Sequence, residues 1–180
     1  MLNTTFTEDL RQKAKKIKLL LLDVDGVLTD GRIIYDSRGR DMKFFDVHDG
    51  LGVYVLKKCG VKTILITAKG SRAIKPRGRD MQVEEIIENI SPKSAALDKI
   101  LFKYKVDASE VCFVGDDLVD LCLMKRVGFP VAVFNAAAEI KQVASYITIR
   151  EGGRGAVREV AELILKSQNK WGEVIERYAV

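Results

Sequence analysis

Asp23 and Asp25, spaced i, i+2 and followed by Gly26, stand at the end of an unbroken apolar run, Leu19 to Leu22. Two carboxylates there are costly to desolvate unless a cation or strong hydrogen bonds compensate them, so the segment calls for a hard metal ion with oxygen ligands, magnesium being the natural candidate. A turn after Asp23, which Gly26 supplies, brings both side chains toward one ligand. The first carboxylate could then attack a phosphorus atom while ligating the metal, and the second could carry a proton to the leaving oxygen. An Asp-Gly turn that merely closes a hairpin is the alternative.

A second run repeats the pattern: the apolar Val111 to Val114 ends in Gly115-Asp116-Asp117-Leu118-Val119-Asp120. One acidic turn is common, but two at the ends of apolar strands point to a shared site, which a doubly wound sheet assembles where its strand order reverses. The phosphate also needs a cation. Lys93 follows Ser91-Pro92 at the start of a helix whose amides favour anions, where it could neutralise both the aspartate and the phosphoryl oxygens; a solvated surface lysine is the competing reading. Thr67, at the end of Ile64 to Ile66, offers either a hydroxyl to the phosphate or a simple strand cap.

The elements that must position these groups alternate. Leu19 to Leu22 reads as a strand buried on both faces, Arg32 to Val47 as a β-hairpin about the turn Asp36-Ser37-Arg38-Gly39, and Gly50 to Cys59 as a helix closed by Gly60. Strands follow at Val61 to Thr67, Val111 to Val114 and Pro130 to Phe134, with a short apolar piece at Val83 to Ile87. Helices are expected from Ser91-Pro92 to about Tyr104 and around Leu118 to Arg126, with Pro76 interrupting any helix in the basic stretch Lys69 to Arg79. The expected fold is α/β: a three-layer α/β/α sandwich around a mostly parallel, doubly wound, Rossmann-like sheet. Phe6 to Lys16 predicts a short helix packed outside the core, and Trp171 with Ile175 and Tyr178 an amphipathic carboxyl-terminal piece that docks on a partner subunit. The hairpin carries more apolar residues than a two-stranded ribbon can bury, which points to a subunit interface.

At 180 residues, 47% hydrophobic and 31% charged, the chain predicts one domain, residues 1–180, with a core of its own. The net charge of +5 is modest and spread between Arg11 to Lys18 and Lys69 to Arg79, without interleaved aromatics, which argues against nucleic-acid binding and fits a small anionic substrate. Cys59, Cys112 and Cys122 show no CxxC spacing and sit in apolar sequence as reduced core residues. No stretch reaches the roughly 18 apolar residues of a membrane span, and Met1 to Lys18 lacks a signal peptide's apolar centre, so a cytoplasmic protein without membrane contact is expected.

Asp23-Val-Asp25-Gly, Thr67, Lys93 and Gly115-Asp116-Asp117 resemble the four ordered motifs of the haloacid-dehalogenase superfamily of aspartate-nucleophile phosphatases. More narrowly, Leu22 to Gly31, Asp49-Gly50, Gly115 to Asp120 and Gly152 to Glu159 resemble the 3-deoxy-D-manno-octulosonate 8-phosphate phosphatase family, over nearly the whole chain from about Lys16. The resemblance implies Mg2+ held by Asp23, Asp116 and the Asp25 backbone carbonyl, Asp23 as nucleophile, Asp25 as general acid and base, and Thr67 and Lys93 on the phosphoryl group. It implies that Asp46, Val47, His48, Asp49 and Gly50 line the substrate site, that Arg77 contacts the sugar acid or its phosphate, and that Asp117 and Asp120 orient other groups. It also implies the absence of a large cap domain and a homotetramer joined through the hairpin, residues 32–47. In that assembly a neighbouring subunit closes each site near Gly152 to Gly155, within the carboxyl-terminal segment 152–180. The expected activity is hydrolysis of that sugar-acid phosphate in lipopolysaccharide biosynthesis.

The chain departs from the pattern at Thr67-Ala68-Lys69, where many relatives read Ser/Thr-Gly-Arg, so a point charge at Lys69 replaces a forked guanidinium in the substrate site. Tyr54 stands where some relatives carry a basic residue, and Pro92 where an acidic or polar one is usual. Two alternatives therefore remain open: a phosphatase for a nine-carbon keto acid 9-phosphate, sialic or deaminated sialic, and a non-catalytic sugar-phosphate-binding or oligomerisation domain of the same fold.

Overall fold

The structure, a computed structural model, describes residues 7–179; Phe6, where the amino-terminal helix was expected to begin, lies outside them. In chain order the elements are α1 (Glu8–Lys15), β1 (Leu19–Leu22), β2 (Ile34–Tyr35), β3 (Asp41–Met42), α2 (Val47–Lys58), β4 (Lys62–Ile66), α3 (Ile74–Met81) and β5 (Glu85–Ile87). They continue with α4 (Leu97–Tyr104), β6 (Val111–Gly115), α5 (Leu121–Met124), β7 (Phe129–Ala132), α6 (Ala138–Val143), β8 (Tyr146–Ile147), α7 (Ala156–Ser167) and α8 (Trp171–Tyr178). None of these helices is long and apolar enough to cross a membrane.

Six strands form a parallel sheet in the order β5-β4-β1-β6-β7-β8. The chain runs outward from β1 through β4 to β5, then returns to the other side of β1 for β6, β7 and β8. The order therefore reverses between β1 and β6, and in such sheets the crevice beyond the strands' carboxyl ends at that point receives the ligand. All four leucines of β1 are fully buried, each worth roughly 1.5–3 kcal/mol relative to exposure. Helices α1, α2, α3 and α7 contact one another in one layer, while α4, α5 and α6 form the other, linked through the 3₁₀ turns Lys93–Ala96 and Leu118–Asp120.

Several boundaries differ from expectation for local reasons. Helix α1 is not outside the core: Leu10 and Ala14 are buried and the helix packs on α7. Helix α2 begins three residues before Gly50 because the Asp46 side chain accepts from His48 N at 2.6 Å and caps it. Pro76 does not interrupt α3; as that helix's third residue it falls in the first turn, where a missing N–H costs no intrahelical bond. Helix α7, with Val157, Val160, Ala161 and Ile164 buried at helical spacing, was not assigned from sequence, nor were α6 and β8. Cys112 is buried as expected, whereas Cys59 and Cys122 are only partly so.

The hairpin pairs Ile34 with Met42 and Tyr35 with Asp41, and the Asp36 carboxylate holds the turn by accepting from Arg38 N and Arg40 N, both at 2.9 Å. Four of its apolar side chains face outward, with Ile33 67% exposed, Tyr35 57%, Met42 47% and Phe44 62%, while Phe45 packs against the core. At the other end of the chain, Trp171 packs on its own α7 beneath the Arg158 and Lys166 cations, 5.2 and 5.6 Å from the ring centre, while Ile175 and Tyr178 stay exposed.

Candidate active site

Asp23 is the first residue beyond β1 and Asp116 the first beyond β6. The register that pairs Leu22 with Val114, continued by the bond from Asp23 N to the Val114 carbonyl (3.1 Å), sets the two carboxylates side by side at the reversal point. Leu22 also pairs with Leu65, so the end of β4 brings Thr67 to the same rim. Gly26 (φ +88°) lets the loop after Asp23 turn back beneath Asp116, whose carboxylate a side chain at position 26 would overlap. That loop is backed by the carboxyl-terminal glycines of the same chain: Gly153 N donates to the Val27 carbonyl at 2.9 Å, and a Cβ at Gly152 would strike the Gly26 carbonyl.

Lys93 reaches this cluster from the start of its 3₁₀ turn, and its stem and ammonium are almost wholly buried. Its Nζ lies 2.6 Å from Asp23 Oδ1 and 2.6 Å from Asp120 Oδ1. Asp120 is fully buried, and its other oxygen accepts from the backbone of Asp116 (2.9 Å) and Asp117 (3.4 Å), so this side chain locks lysine and loop together. Burial works to lower the Lys93 pKa, but the charges and hydrogen bonds of Asp23 and Asp120 outweigh it and raise the pKa, keeping the ammonium protonated.

The carboxylates respond oppositely. Burial, with the Asp120 charge, pushes Asp23 up to about 6 against the pull of Lys93. Burial and the charges of Asp23 and Asp120 push Asp116 up to about 8. One lysine thus does not balance the acids at neutral pH. Asp23, Asp25, Thr67, Lys69, Lys93 and Asp116 all line a cavity of about 280 Å³ at this point.

Residues 66–160 match the haloacid dehalogenase-like hydrolase family. The chain is 38% identical over 165 residues to the 3-deoxy-D-manno-octulosonate 8-phosphate phosphatase of Escherichia coli K12, covering 92% of this chain and 88% of that one. The chain belongs to the haloacid dehalogenase-like hydrolases. Among solved structures, the Moraxella catarrhalis 3-deoxy-D-manno-octulosonate 8-phosphate phosphatase, in complex with magnesium, phosphate and a KDO molecule, superposes with a TM-score of 0.93 at 40% identity, over 96% of this chain and 99% of that one. A hypothetical protein from Xanthomonas campestris reaches a TM-score of 0.95 at 35% identity, over 99% and 97% of the two chains.

The donor set fits the magnesium ion that hydrolases of this family use. Carboxylate oxygens of Asp23, Asp116 and Asp120 lie within 4.8 Å of one another, and hard oxygen donors select magnesium-like ions. Asp120 already spends both oxygens on Lys93 and the backbone, which leaves Asp23 and Asp116 as the side chains to hold the ion. The protonation that burial forces on Asp116 is what a divalent cation would displace.

Other expected site residues lie elsewhere. Asp49 is fully buried and accepts from Gly155 N (3.3 Å) and Arg158 N (2.8 Å), capping α7. Burial raises its pKa to about 6. Arg77 donates from Nη2 to the Asp46 carbonyl at 2.6 Å and packs its guanidinium over Gly50, where a Cβ would collide with it. Val47 and His48 face outward at the amino end of α2, and none of Asp46 to Gly50 or Arg77 lines the cavity. Thr67 lines it, with its hydroxyl donating to the Lys69 carbonyl at 3.1 Å. Lys69 lines it too, its Nζ 3.2 Å from the Tyr35 hydroxyl on the hairpin. Sequence reasoning missed Lys43, just beyond β3, whose ammonium ion-pairs with the Asp25 carboxylate.

Proposed function

We propose that the chain is a magnesium-dependent phosphomonoesterase that hydrolyses 3-deoxy-D-manno-octulosonate 8-phosphate through an aspartyl-phosphate. The observation that carries the reading is the buried Lys93, held between Asp23 and Asp120 with Asp116 alongside, at the point where the sheet order reverses. A degenerate binding domain has no need of this cluster, whose desolvation is costly.

In the proposed sequence Asp23 attacks phosphorus with a carboxylate oxygen, the ester P–O bond breaks, and Asp25 gives its proton to the departing sugar oxygen. Asp25 then removes a proton from water, which attacks phosphorus and returns Asp23 as a free carboxylate with inorganic phosphate. Lys93 keeps Asp23 ionised before attack and faces the equatorial oxygens as charge builds on them. Thr67 turns its hydroxyl from the Lys69 carbonyl to the phosphoryl group. Asp23, Asp116 and the Asp25 carbonyl would hold a magnesium ion, which when bound would supply charge neutralisation at the phosphoryl oxygens. Lys69, at the mouth of the cavity, meets the sugar acid.

Phosphate release from a panel containing the eight-carbon acid 8-phosphate, nine-carbon keto acid 9-phosphates and an aryl phosphate tests the assignment. The highest kcat/KM is expected for the eight-carbon acid, with the rate lost on chelation. A preference for a nine-carbon acid would move the substrate and leave the chemistry.

The exposed apolar residues of the hairpin, continued by Val47 and Leu51, support a homotetramer joined through the hairpin, in which a neighbouring subunit closes each site. Light scattering is expected to give four times the 20.1 kDa chain mass, and a monodisperse monomer would remove the neighbour from the site.

A further inference from the structure

The hairpin reverses ordinary surface patterning. It exposes Ile33, Tyr35, Met42 and Phe44, yet the Lys43 side chain is only 8% exposed, its ammonium turned inward onto Asp25 Oδ1. Among the described residues, Lys43 is the only ion-pair partner the structure gives the Asp25 carboxylate, which is itself 35% exposed on a loop. Asp41 Oδ2 lies 3.8 Å from the same ammonium and is buried without a hydrogen bond of its own, so the ammonium sits between the hairpin's Asp41 and the loop's Asp25.

We propose that Lys43 is the positioning residue for Asp25: the hairpin's buried ammonium holds Asp25 Oδ1 and so aims the other carboxyl oxygen, which carries the proton to be donated, at the leaving oxygen. The proposal rests on the reading of Asp25 as general acid and base. Lys43 is not a second phosphate-binding cation. It does not line the 280 Å³ cavity that Lys93 and Asp116 share, but a separate pocket of about 100 Å³ under the hairpin, which meets the first at Asp25, Gly31 and Lys69. Proton delivery needs the donor within hydrogen-bond reach of one oxygen, and a half-exposed aspartate without its partner samples several rotamers.

The leaving group separates this role from a general loosening of the fold. An aryl phosphate with a good leaving group departs without protonation, whereas the alkoxide of a sugar phosphate needs the acid, and kcat/KM reports the steps up to loss of that group. Lys43→Met is expected to lower kcat/KM for the alkyl ester by about thirtyfold and for p-nitrophenyl phosphate by less than about threefold, a fraction of the 10²–10⁴ that an acid contributes. Lys43→Gln carries the same expectation if the methionine variant is insoluble. Asp25→Asn, run alongside, should show the same leaving-group bias more strongly. If Asp25→Asn shows the bias and the Lys43 variants lower both esters equally or neither, the positioning role is wrong while the acid/base reading stands. If Asp25→Asn shows no bias, the acid/base reading fails and takes the proposal with it.

Discussion

Asp23→Asn is expected to lower turnover by about 10³ or more while leaving the far-ultraviolet circular dichroism of the folded protein unchanged. The amide is nearly isosteric but cannot attack phosphorus, so no phosphorylated enzyme should form. Stability should change little because two effects oppose. Burial has already pushed the Asp23 carboxyl up to about 6, so above that pH the folded state carries a costly charge that asparagine removes. Against that, Lys93 loses one of its two carboxylate partners and keeps Asp120. The check is quench-flow with labelled substrate beside a thermal melt. Turnover within an order of magnitude of wild type, with contamination excluded, would end the nucleophile assignment.

What the sequence exposes about this site is local. The run Leu19 to Leu22 ending in Asp23, and Val111 to Val114 ending in Gly115-Asp116, are strand-end signals complete within a few residues, and the parallel sheet only has to bring the two ends together. Both strands and both aspartates are where the patterning placed them. The contacts that reasoning missed are made across long stretches of chain. Asp49 caps a helix whose first turn lies more than a hundred positions later, and its Asp-Gly context looks the same whether it meets substrate or an amide. Arg77 reads as a free cation until the fold lays it on the Gly50 backbone. Helix α7 was legible in principle, since Val157, Val160, Ala161 and Ile164 have helical spacing; the glycine-rich segment before it, Gly152 to Gly155, drew the reading instead.

Lys43 shows the limit most clearly. In an alternating hairpin a lysine between Met42 and Phe44 reads as solvent-facing, and only the tertiary contact with Asp25 turns its ammonium inward. Ile33, Tyr35, Met42 and Phe44 meanwhile stay exposed, the hydrophobic surface for which a partner subunit is proposed.

Lys93→Met is expected to destabilise the fold by about 3–5 kcal/mol as well as to abolish most activity, because it removes the buried cation and leaves the acids it served. Asp23 and Asp120 lose their only ion-pair partner among the described residues, and Asp116 stays beside them. The loss should depend on pH in a fixed direction. With Lys93 in place Asp23 already sits near 6, above its ordinary value, and removing the ammonium raises it further. A carboxyl whose folded pKa lies above its unfolded one contributes stability that is present below the unfolded value and lost as pH rises through the folded one. The variant's deficit against wild type should therefore be smaller at pH 5 than at pH 8. Urea unfolding at the two pH values measures it. Magnesium supplies a clean second arm: a divalent ion on Asp23 and Asp116 replaces part of the missing charge, so it should raise the variant's midpoint by more than it raises the wild type's. Equal midpoints for variant and wild type at both pH values would mean that Lys93 does not hold the acidic cluster together, and the proposed phosphoryl site would lose its central cation.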